Sequence, residues 1–594
     1  MSSPRLCPAS SNILTLRDED LGNLHENDTD SNSNSNQTKK LVERRIDIYL
    51  GCNFTSRDPG NYNCKLQVVT WKNGTTALCG SCSFCNLLED SMQQSVESDL
   101  WNAWRLGDKL SPALWPRPLN IRAVTHFEKL EYRMELENAK DSTPWAIDAE
   151  AGNWSVYSSL LTGYVLLCPT SMNSGEEWKR VEVCVAFEIF GEEDDPVARL
   201  LKVHRRPLNG PFLSDQNVSK IRNWIKDCDE HHDGCCADLK QLASIEAGTF
   251  LPTRLVDIGG FVDDIHHPRL VITSEMQPKS SEDRVTKYIA LSYCWGPVDG
   301  TTKLLKTTRK TIGSRTQKIE LETMPQTFQD AVLVARTLGI QYLWIDSLCI
   351  IQDNSRDWQI ESSKMPEVFS NAYLTLIAAS ASNCNDSFLS RRIPRLSCTV
   401  SLTLSQDSGA PISGQFSLRF RHRWNTTDKM AEISGSKWVT RGWTFQEERL
   451  ARRVLMFGEK KFFFDCRTLE RAEDTERYTS RPDWVTSVTP FEIPREVPEV
   501  NLATTTEVDS HWNHWQALCS HYAYRELTFP EDKLPAISGI ASMLSQKVQS
   551  SYLAGLWREN LVHDLFWQTT AAAVRLGRRS IVLRRGRGPL LMDG

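Results

Sequence analysis

Three apolar runs separated by helical patterns dominate the middle of the chain. They are YIALSY at residues 288–293, YLWIDSLCII at 342–351 and YLTLIAASA at 373–381. Runs of this length that are apolar on both faces are typical of strands in the interior of a parallel sheet. The sequence therefore predicts three buried strands in this region.

The segments between these runs have the spacing of helices. Within residues 323–339, Phe328, Val332 and Ala335 fall on one helical face. Gly339 suits the left-handed position that often ends a helix. Pro366 interrupts the second segment, so we expect that helix to kink or restart there.

Strands that alternate with helices predict an α/β fold with a parallel sheet of βαβ units, Rossmann-like in its connections. In such sheets ligands bind beyond the carboxyl ends of the strands. Here those ends are residues 292–296, 346–349 and 379–383. We therefore look for chemistry at these three places.

Simpler patterns flank this region and predict α+β surroundings. LPTRLVDIG (251–259) and PRLVITSE (268–275) read as a short antiparallel pair. Residues 438–467 predict a helix followed by a hairpin, with VLMF and KFFF on either side of the turn at 458–460. Further on, two helices are expected around Pro530.

Composition and charge narrow the class of protein. The chain has 594 residues and a net charge of −6, so no basic excess favours nucleic-acid binding. The N-terminus lacks the apolar core of a signal peptide, and no window approaches the roughly 18 apolar residues of a membrane span. We expect a cytoplasmic protein without a membrane partner, whose 17 cysteines are thiols or metal ligands rather than disulfides.

Three blocks of sequence stand out: YIALSYCWG at 288–296, the long block at 324–381 that contains YLWIDSLCII, and RGWTFQEERLARRVLMF at 441–457. In their order and spacing, these blocks resemble the HET (heterokaryon incompatibility) domain of filamentous fungi. The resemblance implies a role in fungal nonself recognition, with an unidentified protein partner, self-association and programmed cell death. HET domains are also distantly similar to TIR domains, some of which cleave NAD⁺. An NAD⁺ glycohydrolase activity, or a non-catalytic interaction module, is therefore an alternative.

The resemblance also organises the chain. The predicted parts are a disordered segment (1–44), an α+β region that would recognise or restrain (45–215), a linker with short strands (216–287), the HET domain (288–467), a helical region (468–570) and a basic tail (571–594). Such proteins often carry a Pro-Ser-Trp-Ser-Trp element where this chain has its Arg-rich tail. Two interpretations of the tail stay open: an aberrant C-terminus, or a disordered basic tail.

Three carboxylates lie at the centres of the blocks: Asp346, Glu361 and Glu447. Cleavage of a glycosidic bond to a cationic nicotinamide needs a carboxylate to stabilise an oxocarbenium-like transition state, and we predict these three as catalytic candidates. The alternative is a structural network, in which Asp346 caps the following turn and Arg441 pairs with Glu447.

Substrate-binding candidates surround these carboxylates. Trp295 offers an aromatic wall on which a cation can stack. The other candidates at the motif centres are Ser292, Gly296, Arg441 and Trp443. Cys294 and Cys349 are interpreted as structural thiols, because a nucleophilic cysteine needs a neighbouring base.

Two groups of residues have irregular zinc-like spacing. One is Cys79, Cys82 and Cys85; the other is Cys228, His231, His232, Cys235 and Cys236. Zinc needs four nitrogen or sulfur ligands in short paired spacings. We favour free thiols over zinc for both groups, and the sequence assigns no metal ligand and no cofactor.

Overall fold

A computed structural model gives the chain as two compact units, one drawn from residues 1–208, 393–431 and 474–476 and the other from 209–392, 432–473 and 477–594. The structure describes the following residues: 44–48, 69–70, 87, 122–126, 130–134, 160–167, 181–200, 203–208, 210–232, 235, 250–259, 267–276, 286–297, 304–392, 397–406, 409–421, 428–433, 435–475, 478–480, 512, 515–516, 518–548 and 550–564. The predictions for the N-terminal segment, for Cys79, Cys82 and Cys85, and for the basic tail lie outside them.

The first unit is built from antiparallel strands. They are β1 (Arg44–Ile48), β2 (Val69–Thr70), β3 (Arg122–His126), β4 (Leu130–Met134), β5 (Leu160–Leu167), β6 (Val181–Phe190), β12 (Ser397–Gln406) and β13 (Gly409–Arg421). Within the described residues, β1 pairs with β4, and a six-stranded sheet runs in the order β12-β13-β6-β5-β3-β2. Helix α1 (Pro196–Leu200) packs against β13.

A buried group of charges joins the elements of this unit. It comprises Glu188, Arg205, Arg419, Arg421, Asp428 and Asp474. Arg419 Nε lies 2.6 Å from Glu188 Oε2, and Arg205 Nη1 lies 3.3 Å from Asp474 Oδ2. Because Arg419 also contacts Asp474, the charges are linked into one network between strands β6 and β13 and the segment at 474.

The second unit is organised around a larger sheet. Its strands are β7 (Arg254–Asp257), β8 (Arg269–Ile272), β9 (Tyr288–Ser292), β10 (Tyr342–Trp344), β11 (Leu374–Ala378), β14 (Arg453–Phe457), β15 (Phe462–Cys466), β16 (Leu469–Ala472) and β17 (Tyr478–Ser480). Among the described residues these nine strands follow the order β17-β16-β15-β14-β11-β9-β10-β7-β8. A short hairpin, β18 (Tyr552–Leu553) with β19 (Leu556–Trp557), lies outside this sheet.

The centre of this sheet is parallel, as the apolar runs predict. Strand β9 lies between β10 and β11 and pairs in parallel with both, and β11 pairs in parallel with β14. Every residue of β9 and β11 is buried. The sheet as a whole is mixed, because the antiparallel hairpins β14–β15–β16–β17 and β7–β8 extend it on both sides.

The second run differs from its prediction. Only Tyr342–Trp344 is a strand, and the chain then turns into the short helix α5 (Asp346–Cys349). The run is largely apolar beyond the strand because helix α5 is buried as well: Ser347, Leu348 and Cys349 are all shielded from solvent. Continuous apolarity cannot separate a buried strand from a buried helical turn.

Several helices lie before, between or after these strands in the sequence of the second unit. They are α2 (Asp215–His231), α3 (Ile312–Arg315), α4 (Gln326–Leu338), α5, α6 (Ser355–Ser363), α7 (Met365–Asn371), α9 (Lys437–Thr440), α10 (Trp443–Leu450), α11 (Pro535–Val548) and α12 (Leu561–Asp564), with α8 (Asp428–Ile433) at the unit boundary. No helix in the described part of the chain is both long and apolar enough to cross a membrane.

Local sequence sets the helix ends as predicted. Gly339 ends α4 with a left-handed φ of 80°. Pro366 stands in the first turn of α7, so the predicted restart is confirmed. The predicted helix is divided into α9 and α10, because the extended backbone of Arg441 interrupts the helical conformation between them. The two predicted hairpins, β7–β8 and β14–β15, are confirmed.

Candidate functional site

Polar side chains meet where strand β9 ends. Successive residues of a strand point to opposite faces, so Ser292 and Tyr293 extend in different directions from the same point of the sheet. Ser292 is fully buried and Tyr293 is 3% exposed. The two residues lead to two hydrogen-bonded groups, one around Glu447 and the other around Asp346.

Ser292 joins strand β9 to helices α9 and α10. Its hydroxyl accepts a 2.8 Å hydrogen bond from Trp438 Nε1 and donates to Glu447 Oε2. Trp438 is fully buried and Glu447 is 7% exposed. The indole N–H fixes the hydroxyl as a donor to the carboxylate, because Ser292 already accepts from Trp438.

Asp346 is held on the other side by two aromatic residues. Tyr293 OH donates to Asp346 Oδ1 at 2.9 Å, and Trp295 Nε1 donates to Asp346 Oδ2 at 2.8 Å. The amide of Ser347 also donates to Asp346 Oδ1, at 2.6 Å. The carboxylate thus accepts an amide within the first turn of α5 and also orients Trp295. Lys306 Nζ lies 5.1 Å from the Trp295 ring centroid.

Burial raises the pKa values of both carboxylates. It raises the pKa of Glu447 to about 7, although the hydrogen bond from Ser292 and the charge of Arg441 act in the opposite direction. Burial likewise raises the pKa of Asp346, against its hydrogen bond from Tyr293. Glu447 therefore exchanges a proton near neutral pH, as general acids and bases in enzymes do.

Two arginines supply positive charge to this region. Arg441 Nη1 donates to the carbonyl of Tyr293 at 2.9 Å, and its charge acts on both Asp346 and Glu447. Arg525 donates to Thr444 Oγ1 at 3.0 Å, and burial lowers its pKa to about 10. The site therefore combines two carboxylates with two cations around the end of β9.

The structure brings together most of the predicted residues. Ser292, Trp295, Asp346, Arg441 and Glu447 belong to one connected region at the carboxyl end of β9. Two of the remaining candidates have other surroundings. Gly296 follows Trp295 with a left-handed φ of 102°. Trp443 donates to Asp532 at 3.0 Å, and so contacts the segment before α11 instead of the two carboxylates.

Glu361 lies at the same edge of the sheet but in a separate network. Its Oε1 accepts from Thr253 Oγ1 at 2.7 Å and from Lys364 Nζ at 3.2 Å. Thr253 directly precedes β7, which runs antiparallel to β10 and so begins where β10 ends. Glu361 is 3% exposed, and these contacts tie helix α6 to the entry of β7.

Glu361→Gln is expected to lower the free energy of unfolding by about 1–3 kcal/mol, the range for a disturbed buried hydrogen-bonded group. The amide oxygen can still accept from Thr253, whereas the amide nitrogen meets the ammonium of Lys364 as a second donor. Urea denaturation of the variant measures the loss. An unchanged midpoint would show that the network does not stabilise the fold.

Three residues of the site were missed from the sequence. Tyr293 and Trp438 are aromatic residues of the kind that fill hydrophobic cores. Only the hydrogen bonds from the Tyr293 hydroxyl to Asp346 and from the Trp438 indole to Ser292 reveal their polar role. Arg525 lies far along the chain and reaches Thr444 through tertiary packing. The one available signal in the sequence is that Trp438 lies three residues before the third block, which contains Arg441 and Glu447.

The cysteines near the site have the properties of structural thiols. Cys294 and Cys349 are both buried and unpaired. Burial raises the pKa of Cys294 to about 11 and that of Cys349 to about 12. Both groups therefore stay protonated at neutral pH and are poor nucleophiles.

This region is a mixed α/β fold. Polar and charged side chains lie at the carboxyl end of β9, one of the parallel strands at the centre of its sheet. Residues 288–447 match the family described as heterokaryon incompatibility protein (HET). This part of the chain is therefore a HET domain, and it carries all five of the connected site residues. Neither the curated proteins nor the solved structures contain a significant match to the chain.

Proposed function

We propose that this protein acts in fungal nonself recognition and triggers programmed cell death when it meets an incompatible protein partner in the cytoplasm. The observation that carries the proposal is the family match at 288–447, within which the connected polar residues lie. Residues 45–215 would recognise the partner or restrain the domain, and self-association would accompany activation.

The free-energy cost of a buried charge at the carboxyl end of β9 supports a functional role for this site. A carboxylate buried beside a serine hydroxyl costs stability once it ionises, and evolution tolerates such costs at functional sites. Glu447 is in this situation, because its pKa lies near neutral pH and, among the described residues, its side chain accepts a hydrogen bond from the hydroxyl of Ser292 alone. Packing alone would be served better by an apolar side chain at this position.

Overexpression in a filamentous fungal host tests the proposal. We expect strong loss of viability from the intact chain and normal growth from a chain carrying Trp438→Ala, which removes the indole under Ser292. Both proteins must be detected at equal level by immunoblot. Healthy growth of cells with abundant intact protein would contradict a killing function.

The second candidate is a TIR-like, Rossmann-like enzyme that cleaves NAD⁺. It is favoured by the two carboxylates in unlike environments, since Glu447 titrates near pH 7 whereas Asp346 is tied to Tyr293, Trp295 and Ser347. Groups of this kind divide acid–base and electrostatic roles in glycosidic cleavage. Trp295, half-buried beside Asp346, offers the face for a cationic base.

Release of nicotinamide from NAD⁺ by the purified protein separates the two candidates. An enzyme would release it in a reaction that Asp346→Asn and Glu447→Gln both slow. Cell killing without nicotinamide release, by protein whose fold is verified, would favour a non-catalytic interaction surface.

A further inference from the structure

A compact group of sulfur and nitrogen ligands lies at the junction of helix α2 and strand β15, away from the end of β9. Its members are Cys228, His232, Cys235 and Cys466, and their ligand atoms all lie within 4.8 Å of one another. Three of them come from one short stretch of sequence, and Cys466 follows more than two hundred residues later. The fold brings the fourth ligand to the other three.

Local structure places the first three. Cys228 lies in the last turn of α2, and His232 follows four residues later at the C-cap, so both side chains fall on one face. The amide of Cys235 donates to the carbonyl of His232 at 3.0 Å, and this turn directs Cys235 back towards Cys228. Cys466 is the last residue of β15 and places its Sγ 3.4 Å from His232 Nδ1.

The surroundings of the sulfur atoms suit thiolates. Arg453 Nε donates to Cys228 Sγ at 3.1 Å, and Arg453 is itself held by Asp229 at 2.5 Å. The amide of Thr468 donates to Cys466 Sγ at 3.4 Å. Donors of this kind around metal-bound sulfur fix the ligands and offset their negative charge.

The chemistry of the set is that of a zinc site. Cys228 and Cys466 are fully buried, Cys235 is 1% exposed, and His232 is half-buried. Three thiols and an imidazole whose ligand atoms lie this close either share protons or hold a cation. Three sulfurs and one nitrogen select zinc over harder cations.

We propose that Cys228, His232, Cys235 and Cys466 bind one structural Zn²⁺, which ties the end of helix α2 to the end of strand β15. All four positions are filled by protein, which leaves no open position for substrate and marks the ion as structural. Tetrahedral Zn–S bonds of about 2.3 Å bring sulfur atoms to about 3.8 Å apart, so small side-chain movements close the site. The neighbouring His231 is excluded, because it is exposed and lies 3.0 Å from Asp227.

Metal analysis of the purified full-length protein tests the site. We expect about one zinc per chain, as one closed four-ligand site requires. Cys228→Ser and Cys466→Ser should each lose most of it. The matched control is Cys384→Ser, which alters another fully buried cysteine of the same unit and should keep the full zinc content. Cobalt should bind the zinc-free protein with thiolate charge-transfer absorption that Cys466→Ser abolishes.

Measurements on the unaltered chain keep the proposal testable if a serine variant fails to fold. A strong zinc chelator should lower the melting temperature and speed alkylation of Cys228, Cys235 and Cys466 but not of Cys384. Zinc that persists in Cys228→Ser and Cys466→Ser would overturn the proposal. So would a chain that binds neither zinc nor cobalt, or a disulfide between Cys228 and Cys235.

Discussion

Glu447→Gln is expected to abolish cell killing while it makes the protein more stable above neutral pH. The amide oxygen can still accept the hydroxyl of Ser292, so the packing around helix α10 is kept. The variant lacks the charge that ionisation creates at this buried position. Loss of function together with a gain in stability distinguishes a residue kept for its chemistry from one kept for the fold.

The size of the stability gain in Glu447→Gln follows from the pH dependence of the stability of the unaltered protein. The pKa of Glu447 rises from 4.5 to about 7 on folding, so the folded protein holds a proton that the unfolded chain releases. The contribution of Glu447 to the free energy of unfolding is complete below pH 4.5 and is lost as pH rises through about 7. The accumulated difference above that pH is about 3 kcal/mol. Urea midpoints at pH 5 and pH 8 should therefore differ less in the variant than in the unaltered protein.

Glu361→Gln is the matched control for this experiment. It makes the same chemical change in a buried carboxylate at the same edge of the sheet, but in the network of Thr253 and Lys364. We expect it to lose stability and to keep killing, the reverse of Glu447→Gln. If NAD⁺ cleavage is the activity, Glu447→Gln should slow it by about 10²–10³. Full killing by a stable Glu447→Gln protein would remove Glu447 from the mechanism.

Asp474→Ala is expected to destabilise the first unit by about 3–5 kcal/mol, because removal of one partner leaves buried charge uncompensated. Asp474 is 1% exposed and contacts both Arg205 and Arg419. The variant leaves the guanidinium groups of Arg205 and Arg419 with one carboxylate contact fewer, at positions shielded from solvent. The urea midpoint and hydrogen exchange in strand β13 measure the effect.

Two further variants test whether the lost ion pairs of Asp474 cause the expected loss of stability. Glu193 is an exposed carboxylate of the same unit, and Glu193→Ala should change stability by about 0.5 kcal/mol or less. Adding Arg419→Met to Asp474→Ala removes the opposite charge and should recover part of the loss. Additive losses in the double variant would mean that the two residues act independently and that the ion pair contributes little.

Local sequence determined the parts of this protein that depend on neighbouring residues. Continuous apolar runs predicted strands β9 and β11, because a strand between two parallel neighbours is covered on both faces. Gly339 and Pro366 predicted the end of one helix and the start of another, because their backbone preferences act within a single turn. The three blocks were sufficient to identify the HET domain.

The tertiary structure decided what depends on distant contacts. Apolarity alone could not show that the chain leaves β10 as helix α5, since both are buried. Sequence spacing could not separate Glu361 from Glu447, because their partners come from different places: Thr253 precedes strand β7, whereas Ser292 ends strand β9. In the same way Cys466 joins Cys228, His232 and Cys235 only because β15 ends beside helix α2. Side-chain types set what each residue can do, whereas the packing of distant elements sets the groups with which it acts.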